Sequence, residues 1–282
     1  MSDRVVQTLL QAAEANRRDP LRNANMLCFP GAGQLYIAGD LHNHHRNYEK
    51  FLRAADLERH PQRHILLQEL IHGGPLGPNG EDQSLDMILH AAQLKAKCPD
   101  RVHFLLANHD MAQVQRLAIM KDGYDLTERF TRHVELKYGK TAGNVLTAFR
   151  EFCYSMPLAA ITVTGVFFAH SLPTARDLPK FDATLLRRPL TEADYDRNGP
   201  VYQLIWGRFQ TQDALNALSK LWWADLFVCG HQPQDAGHGT IGDRMLIIDS
   251  SHNHGVYLPL DLSVQYTLAD LVAQVRPLAG VM

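Results

Sequence analysis

Residues of the types that bind metal ions or carry protons follow five short apolar runs in this sequence. The runs are LYIAGD, HILLQE, VHFLLANHD, ITVTGVFFAHS and DLFVCGH. Because the carboxyl ends of the strands in an open α/β sheet meet at one edge, we expect the side chains that end these runs to lie together. They are Asp40, His42, Glu69, Asn108, His109, His170 and His231.

This set of side chains indicates a particular chemistry. Oxygen donors combined with neutral imidazoles favour manganese, iron or zinc over calcium. A carboxylate shared by two such ions can hold them roughly 3.5–4 Å apart, the spacing used for in-line displacement at phosphorus. The ions polarise the phosphoryl oxygens and make hydroxide available near neutral pH, and a further histidine can protonate the leaving alkoxide.

The elements that must position these residues alternate between strand and helix. Apolar periodicity predicts helices over residues 3–18, 46–58, 82–97, 111–120 and 211–222. Predicted strands precede Asp40, Glu69 and Asn108, and a hairpin over 161–171 and strands over 225–231, 244–250 and 255–262 follow. The pattern predicts an α/β fold in which two mixed β-sheets pack as a sandwich flanked by helices.

Length and composition suit one large globular domain over residues 1–282. Hydrophobic residues make up 45% of the chain and charged residues 21%, which are ordinary values. We expect an N-terminal helix over about residues 1–20 and helical insertions at about 121–155 and 172–224.

Composition also argues against several classes of protein. A net charge of −2 without a dense basic run disfavours a nucleic-acid partner. The four cysteines form no CxxC pair, which disfavours a disulfide scaffold or a cysteine zinc site. Without a signal-like N-terminus or a bilayer-spanning apolar stretch, we expect a cytoplasmic protein without a membrane partner. The oligomeric state stays open.

Four ordered segments resemble the signature blocks of calcineurin-like metallophosphoesterases over residues 39 to about 254. The segments are Gly39-Asp40-Leu41-His42, Ala107-Asn108-His109-Asp110, Ala169-His170 and Gly230-His231-Gln232. The single histidine in the last block, and the segment from Gln203 to Arg208, are similar to the phosphoprotein (serine/threonine) phosphatase branch.

The resemblance implies a role for each residue of the set. One divalent ion (Mn²⁺, Fe²⁺/Fe³⁺ or Zn²⁺) would be bound by Asp40 and His42. The second would be bound by Asn108, His170 and His231. Glu69 would bridge the two ions, and His109 would act as general acid and phosphate contact.

The second block departs from the family pattern GDxxDRG. Here the sequence is Gln68-Glu69-Leu70-Ile71-His72-Gly73-Gly74, so glutamate replaces the bridging aspartate. His72 stands where the family has an aspartate that orients the catalytic histidine. Gly73 replaces an arginine that binds phosphate, a function that Arg46 or Arg208 would have to supply.

Three functional hypotheses follow. The first is metal-dependent hydrolysis of phosphate monoesters, similar to a serine/threonine protein phosphatase, with a phosphoprotein or a small phosphate ester as substrate. The second is a dinucleoside polyphosphate hydrolase, which shares the same blocks. The third, suggested by the altered second block, is a catalytically weak metal-binding regulatory module.

Overall fold

The computed structural model describes residues 2–282 and contains two large mixed sheets flanked by helices. The predicted α/β sandwich is therefore confirmed. Met1, the first residue of the predicted N-terminal helix, lies outside the described residues. None of the helices between residues 2 and 282 combines the length and the apolar character that a membrane crossing requires.

The helices and strands have the following bounds. The α-helices are α1 (Ser2–Arg17), α2 (His45–Ala55), α3 (Leu85–Lys97), α4 (Asn108–Gln115), α5 (Leu126–Tyr138), α6 (Ala142–Ser155), α7 (Pro200–Trp206), α8 (Gln212–Trp222) and α9 (Leu268–Gln274). The strands are β1 (Arg22–Asn23), β2 (Met26–Phe29), β3 (Gln34–Asp40), β4 (Arg63–Gln68), β5 (Val102–Leu105), β6 (Met120–Lys121), β7 (Tyr124–Asp125), β8 (Ala159–Thr162), β9 (Val166–Ala169), β10 (Leu226–Cys229), β11 (His238–Ile241), β12 (Met245–Ile248), β13 (Val256–Asp261) and β14 (Arg276–Pro277).

The first large sheet has the strand order β14-β13-β3-β4-β5. Strands β3, β4 and β5 are parallel, with Ile37 opposite Leu66 and Leu66 opposite His103. Their carboxyl ends therefore meet at one edge, where the chain continues into Asp40, Glu69 and Asn108.

The second large sheet has the order β1-β2-β8-β9-β10-β12-β11. Strands β9, β10 and β12 are parallel, so the residues that follow them also share an edge. A parallel bridge between Asp40 and Asp249 joins the two sheets there. His170 and His231, which follow β9 and β10, are thereby brought to the edge that holds Asp40.

The two faces of each sheet pack differently, as the two-residue period of a strand requires. Ile37 and Leu66 belong to the core between the sheets, together with Val228. Ile65 and Leu67, on the opposite face of β4, belong to the core beneath the helices.

The structure differs from the prediction at several elements. The helix predicted over 111–120 ends at Gln115, because Arg116 adopts a left-handed conformation (φ 56°) and caps it. Residues 121–155 hold α5 and α6, and residues 172–224 hold α7, α8 and three short 3-10 turns. The short elements β1, β2, β6, β7, β11, β14 and α9 were not expected.

Candidate metal centre

Four buried side chains direct their donor atoms at one another at the shared edge of the sheets. The side-chain oxygen of Asn108 lies 2.7 Å from His170 Nε2 and 2.9 Å from His231 Nδ1. Glu69 Oε2 lies 2.9 Å from His170 Nε2. These atoms could ligate one cation, because amide, carboxylate and imidazole donors converge on a single point.

The rings of His170 and His231 are oriented by contacts on their other nitrogens. His170 Nδ1 lies 3.0 Å from Gln68 Oε1, and His231 Nε2 lies 3.2 Å from the Trp206 carbonyl oxygen, to which it can only donate. Burial, followed by the neighbouring positive groups, holds the pKa of His170 well below its ordinary value and lowers the pKa of His231 to about 2. Both rings are therefore neutral, the form that binds metal.

Asp40 has a buried oxygen without a protein partner. Its Oδ2 accepts a hydrogen bond from the His231 backbone N–H at 2.8 Å, but Oδ1 has no hydrogen-bond partner. Burial, then the charges of Glu69 and Asp249, raise the pKa of Asp40. An unpaired buried oxygen in such an environment fits a cation, because buried polar atoms otherwise find a partner.

His42 and Glu69 complete a second group of ligand-type atoms. His42 Nδ1 lies 3.0 Å from the Ile71 carbonyl, to which it can only donate, and this leaves Nε2 as the ligand atom. Metal-ligating atoms of His42, Glu69 and His109 lie within 4.8 Å of one another, as do those of Glu69, His170 and His231. Glu69 is common to both groups and could therefore bridge two ions.

Several of these residues have a strained backbone. The φ angles of His42, Glu69, His72 and His231 are 42°, 49°, 62° and 65°, in the left-handed region that non-glycine residues rarely occupy. Such strain persists only where the surrounding structure imposes it, and it concentrates at functional sites. At these loops it turns each side chain into the cavity at the end of the preceding strand.

His109 contacts a second histidine. His72 Nδ1 lies 3.0 Å from His109 Nδ1, and His72 Nε2 lies 2.9 Å from Gln113 Oε1. Burial lowers the pKa of His72 to about 4, and burial followed by His42 and His72 lowers the pKa of His109 strongly. Both rings are therefore neutral.

The donor and the acceptor in each of these hydrogen bonds can be assigned by starting from Thr131, which contacts Gln113. The Thr131 hydroxyl donates to the Thr127 carbonyl, so it accepts from Gln113 Nε2 at 3.1 Å. Gln113 Oε1 consequently accepts from His72 Nε2–H, which leaves His72 Nδ1 as the acceptor for His109 Nδ1–H. The Nε2 atom of a neutral His109 then has no proton.

A cavity of about 350 Å³ opens over these groups. Arg208 lines it, whereas Arg46 is exposed on α2 and is not among its lining residues. Asp249 was not predicted, although it lines the cavity and follows the apolar strand β12. Gln113 and Lys121 were not predicted either, and the sequence offers no comparable signal for them. The lining residues that were predicted are Asp40, His42, Glu69, His72, Asn108, His109, Arg208 and His231.

Comparison with known proteins finds one matching family and several similar structures. Residues 34–262 match the family model described as calcineurin-like phosphoesterase. No curated protein matches the sequence. A protein serine/threonine phosphatase from Saccharomyces cerevisiae is similar in structure, with a TM-score of 0.70, 14% sequence identity, and 93% of this chain and 83% of that chain covered. The cold-active protein-tyrosine phosphatase of a psychrophilic Shewanella species has a TM-score of 0.60 at 15% identity, with 89% and 80% covered.

Proposed function

Since this chain belongs to the calcineurin-like phosphoesterase family, we propose that it is a phosphatase that hydrolyses phosphate monoesters at a centre of two divalent metal ions. The observation that supports this most directly is the position of Glu69, whose side chain is 1% exposed and belongs to both groups of ligand atoms. Manganese, iron and zinc are the candidate ions, since the donors are nitrogen and oxygen.

In this proposal the ligands divide between two ions. Asp40 and His42 would hold one ion, and Glu69 would bridge. The other ion would be held by Asn108, His170 and His231. When bound, the two ions would polarise the phosphoryl oxygens and lower the pKa of water.

Two further side chains act on the substrate in this proposal. Arg208 lines the cavity, where its guanidinium group can donate to the phosphate oxygens. His109 contacts the phosphoryl group, and His72 fixes the orientation of its ring. We propose no role for Arg46 in the phosphate site, because it does not line the cavity.

The proposed substrate is a phosphoprotein or a small phosphate ester, in keeping with the serine/threonine phosphatase fold. A second candidate, hydrolysis of dinucleoside polyphosphates, is supported by the hydrogen bonding of His109. A neutral His109 that donates through Nδ1 has no proton on Nε2 for a departing alkoxide. A phosphoanhydride needs no such proton, because its leaving group is already a weak base.

An assay on para-nitrophenyl phosphate with Mn²⁺ tests the proposal. We expect turnover by the wild type and by His60→Ala, which changes an exposed histidine that does not line the cavity. In Asp40→Asn and Asn108→Ala we expect a loss of about 100-fold or more. The assay is repeated with iron and with zinc. If two ions are bound but no turnover occurs with manganese, iron or zinc, the proposal is overturned and the hypothesis of a metal-binding regulatory module remains.

A comparison of substrates separates the two candidate activities. The wild type is assayed on a phosphoserine peptide and on diadenosine tetraphosphate under the same conditions. Faster turnover of the peptide supports the monoesterase, and faster turnover of the dinucleotide supports the anhydride hydrolase.

A further inference from the structure

A second cavity, of about 730 Å³, lies at the opposite end of α4 from the candidate metal centre. Its walls come from α4, α5, α6 and the loop at Asp196 and Arg197, and it has no lining residue in common with the catalytic cavity. A volume in this range is typical of small-molecule sites. The cavity is separate from the proposed active site, and the proposed function does not involve it.

Three arginines surround this cavity: Arg116, Arg150 and Arg197. Each is exposed, and across residues 2–282 no carboxylate lies close enough to form an ion pair with any of them. Asp196 is the one acidic residue in the lining, so the cavity keeps an excess of positive charge. Like charges gathered in this way repel each other and do not stabilise the fold, but they attract an anion.

The rest of the lining indicates the kind of anion. The Arg150 guanidinium lies 5.2 Å from the centre of the Tyr154 ring, which supports the guanidinium plane from one side. One guanidinium group can donate two parallel hydrogen bonds to two oxygens of a phosphate, and arginine is therefore a common phosphate-binding residue. Leu146 and Phe149 add an apolar wall. We propose that this arginine cavity binds a small organic phosphate, whose phosphate contacts the arginines and whose apolar part contacts that wall.

Hydrogen-bonded side chains connect the arginine cavity to the catalytic cavity. Gln113 and Thr131 line the arginine cavity, while His72 lines the catalytic cavity. Gln113 accepts a hydrogen bond from His72 at 2.9 Å and donates one to Thr131 at 3.1 Å. A ligand in the arginine cavity would therefore lie one hydrogen bond away from the residue that orients His109.

Isothermal titration of the full-length, metal-loaded protein with phenylphosphonate tests the proposal. This probe has a phosphonate dianion, an apolar ring and a carbon–phosphorus bond that a phosphoesterase does not hydrolyse. The variants are Arg116→Gln/Arg150→Gln for the arginine cavity, Arg208→Gln for the catalytic cavity, and Arg53→Gln as an exposed control on α2.

We expect wild type and Arg53→Gln to bind the probe in the arginine cavity, with at least about tenfold weaker binding there in Arg116→Gln/Arg150→Gln. Arg208→Gln should leave this binding event unchanged. The proposal is overturned if wild type does not bind the probe. It is also overturned if the one binding event observed is weakened by Arg208→Gln and not by the double substitution.

Discussion

His72 Nδ1 lies 3.0 Å from His109 Nδ1, so that an imidazole contacts the residue proposed to face the substrate. In the family pattern this position belongs to an aspartate. A carboxylate there would stabilise a protonated His109, whereas a neutral ring that accepts through Nδ1 supplies no negative charge to favour the protonated form. In the proposed mechanism, the altered second block therefore removes a negative charge from beside His109.

Replacement of His72 by aspartate should restore the missing charge. We expect His72→Asp to increase kcat on a phosphoserine peptide by about tenfold, because a protonated His109 can supply the proton that a serine alkoxide needs. On para-nitrophenyl phosphate, whose leaving group is a weak base, the increase should be much smaller. Steady-state kinetics on the two substrates measures the difference.

His72→Asn is the matched control for this substitution. It has a side chain of similar size to aspartate but no charge, so we expect no increase in kcat on either substrate. An equal gain in His72→Asp and His72→Asn would show that the size of the side chain, and not its charge, limits the wild type.

Glu69 should determine how many ions the protein binds. Its carboxylate lies 2.9 Å from His170 Nε2 and accepts a hydrogen bond from the His109 backbone N–H at 3.2 Å. We expect Glu69→Gln to reduce the bound metal from two ions per chain to one or fewer and to lower kcat by about 100-fold or more. Elemental analysis after dialysis gives the metal content.

Glu49→Gln, on the exposed face of α2, is the control for the loss of one negative charge. It should retain two ions and full activity. Retention of two ions by Glu69→Gln would contradict the bridging role.

Arg208 and Arg46 allow a direct test of which arginine binds the phosphate. Arg208 lines the cavity and Arg46 does not. We expect Arg208→Gln to raise KM by about tenfold or more, because a charge-assisted contact to the phosphate is lost, and Arg46→Gln to leave KM unchanged. Initial rates on para-nitrophenyl phosphate give both values. A rise in KM for Arg46→Gln alone would reverse the assignment.

The sequence predicted that the proposed ligands lie at one edge of the sheets, because each of them ends or follows an apolar strand. In one sheet, Asp40 ends β3 and Glu69 follows the parallel strand β4. In the other sheet, His170 and His231 follow the parallel strands β9 and β10. Two properties of the sequence, apolar runs and the residues that end them, are sufficient to place such side chains at a common edge.

Features that depend on tertiary contacts were not predictable in this way. Gln113 contacts His72 only because α4 packs beside the loop after β4, and neither residue indicates the other in sequence. Arg116 ends α4 in a left-handed conformation, although glycine or asparagine is the usual signal for such a helix end. The arginine cavity likewise joins α4 to Arg150 and Arg197, which are distant in sequence.

A buried ion pair that lines neither cavity should make stability depend on pH. Asp19 Oδ2 accepts hydrogen bonds from Lys95 Nζ and His103 Nδ1, both at 2.8 Å, and the three side chains are at most 2% exposed. Burial alone would raise the pKa of Asp19, but His103 and then Lys95 outweigh it and lower that pKa below its ordinary value. Because the pKa is lower in the folded state, this contribution to stability is present above the unfolded pKa of about 3.9 and is lost as the pH falls towards the folded value.

We expect Asp19→Asn to lower the free energy of unfolding by about 3–5 kcal/mol at neutral pH, because the charge of Lys95 would stay buried without its partner. The difference in free energy of unfolding between wild type and Asp19→Asn should shrink as the pH falls below about 4, because the ionised Asp19 then stabilises the wild type less. Urea denaturation over a series of pH values measures both effects. Glu58→Gln, which removes the exposed Lys97–Glu58 pair, should behave as wild type throughout. A loss in Asp19→Asn that stays constant with pH would assign the effect to packing and not to charge.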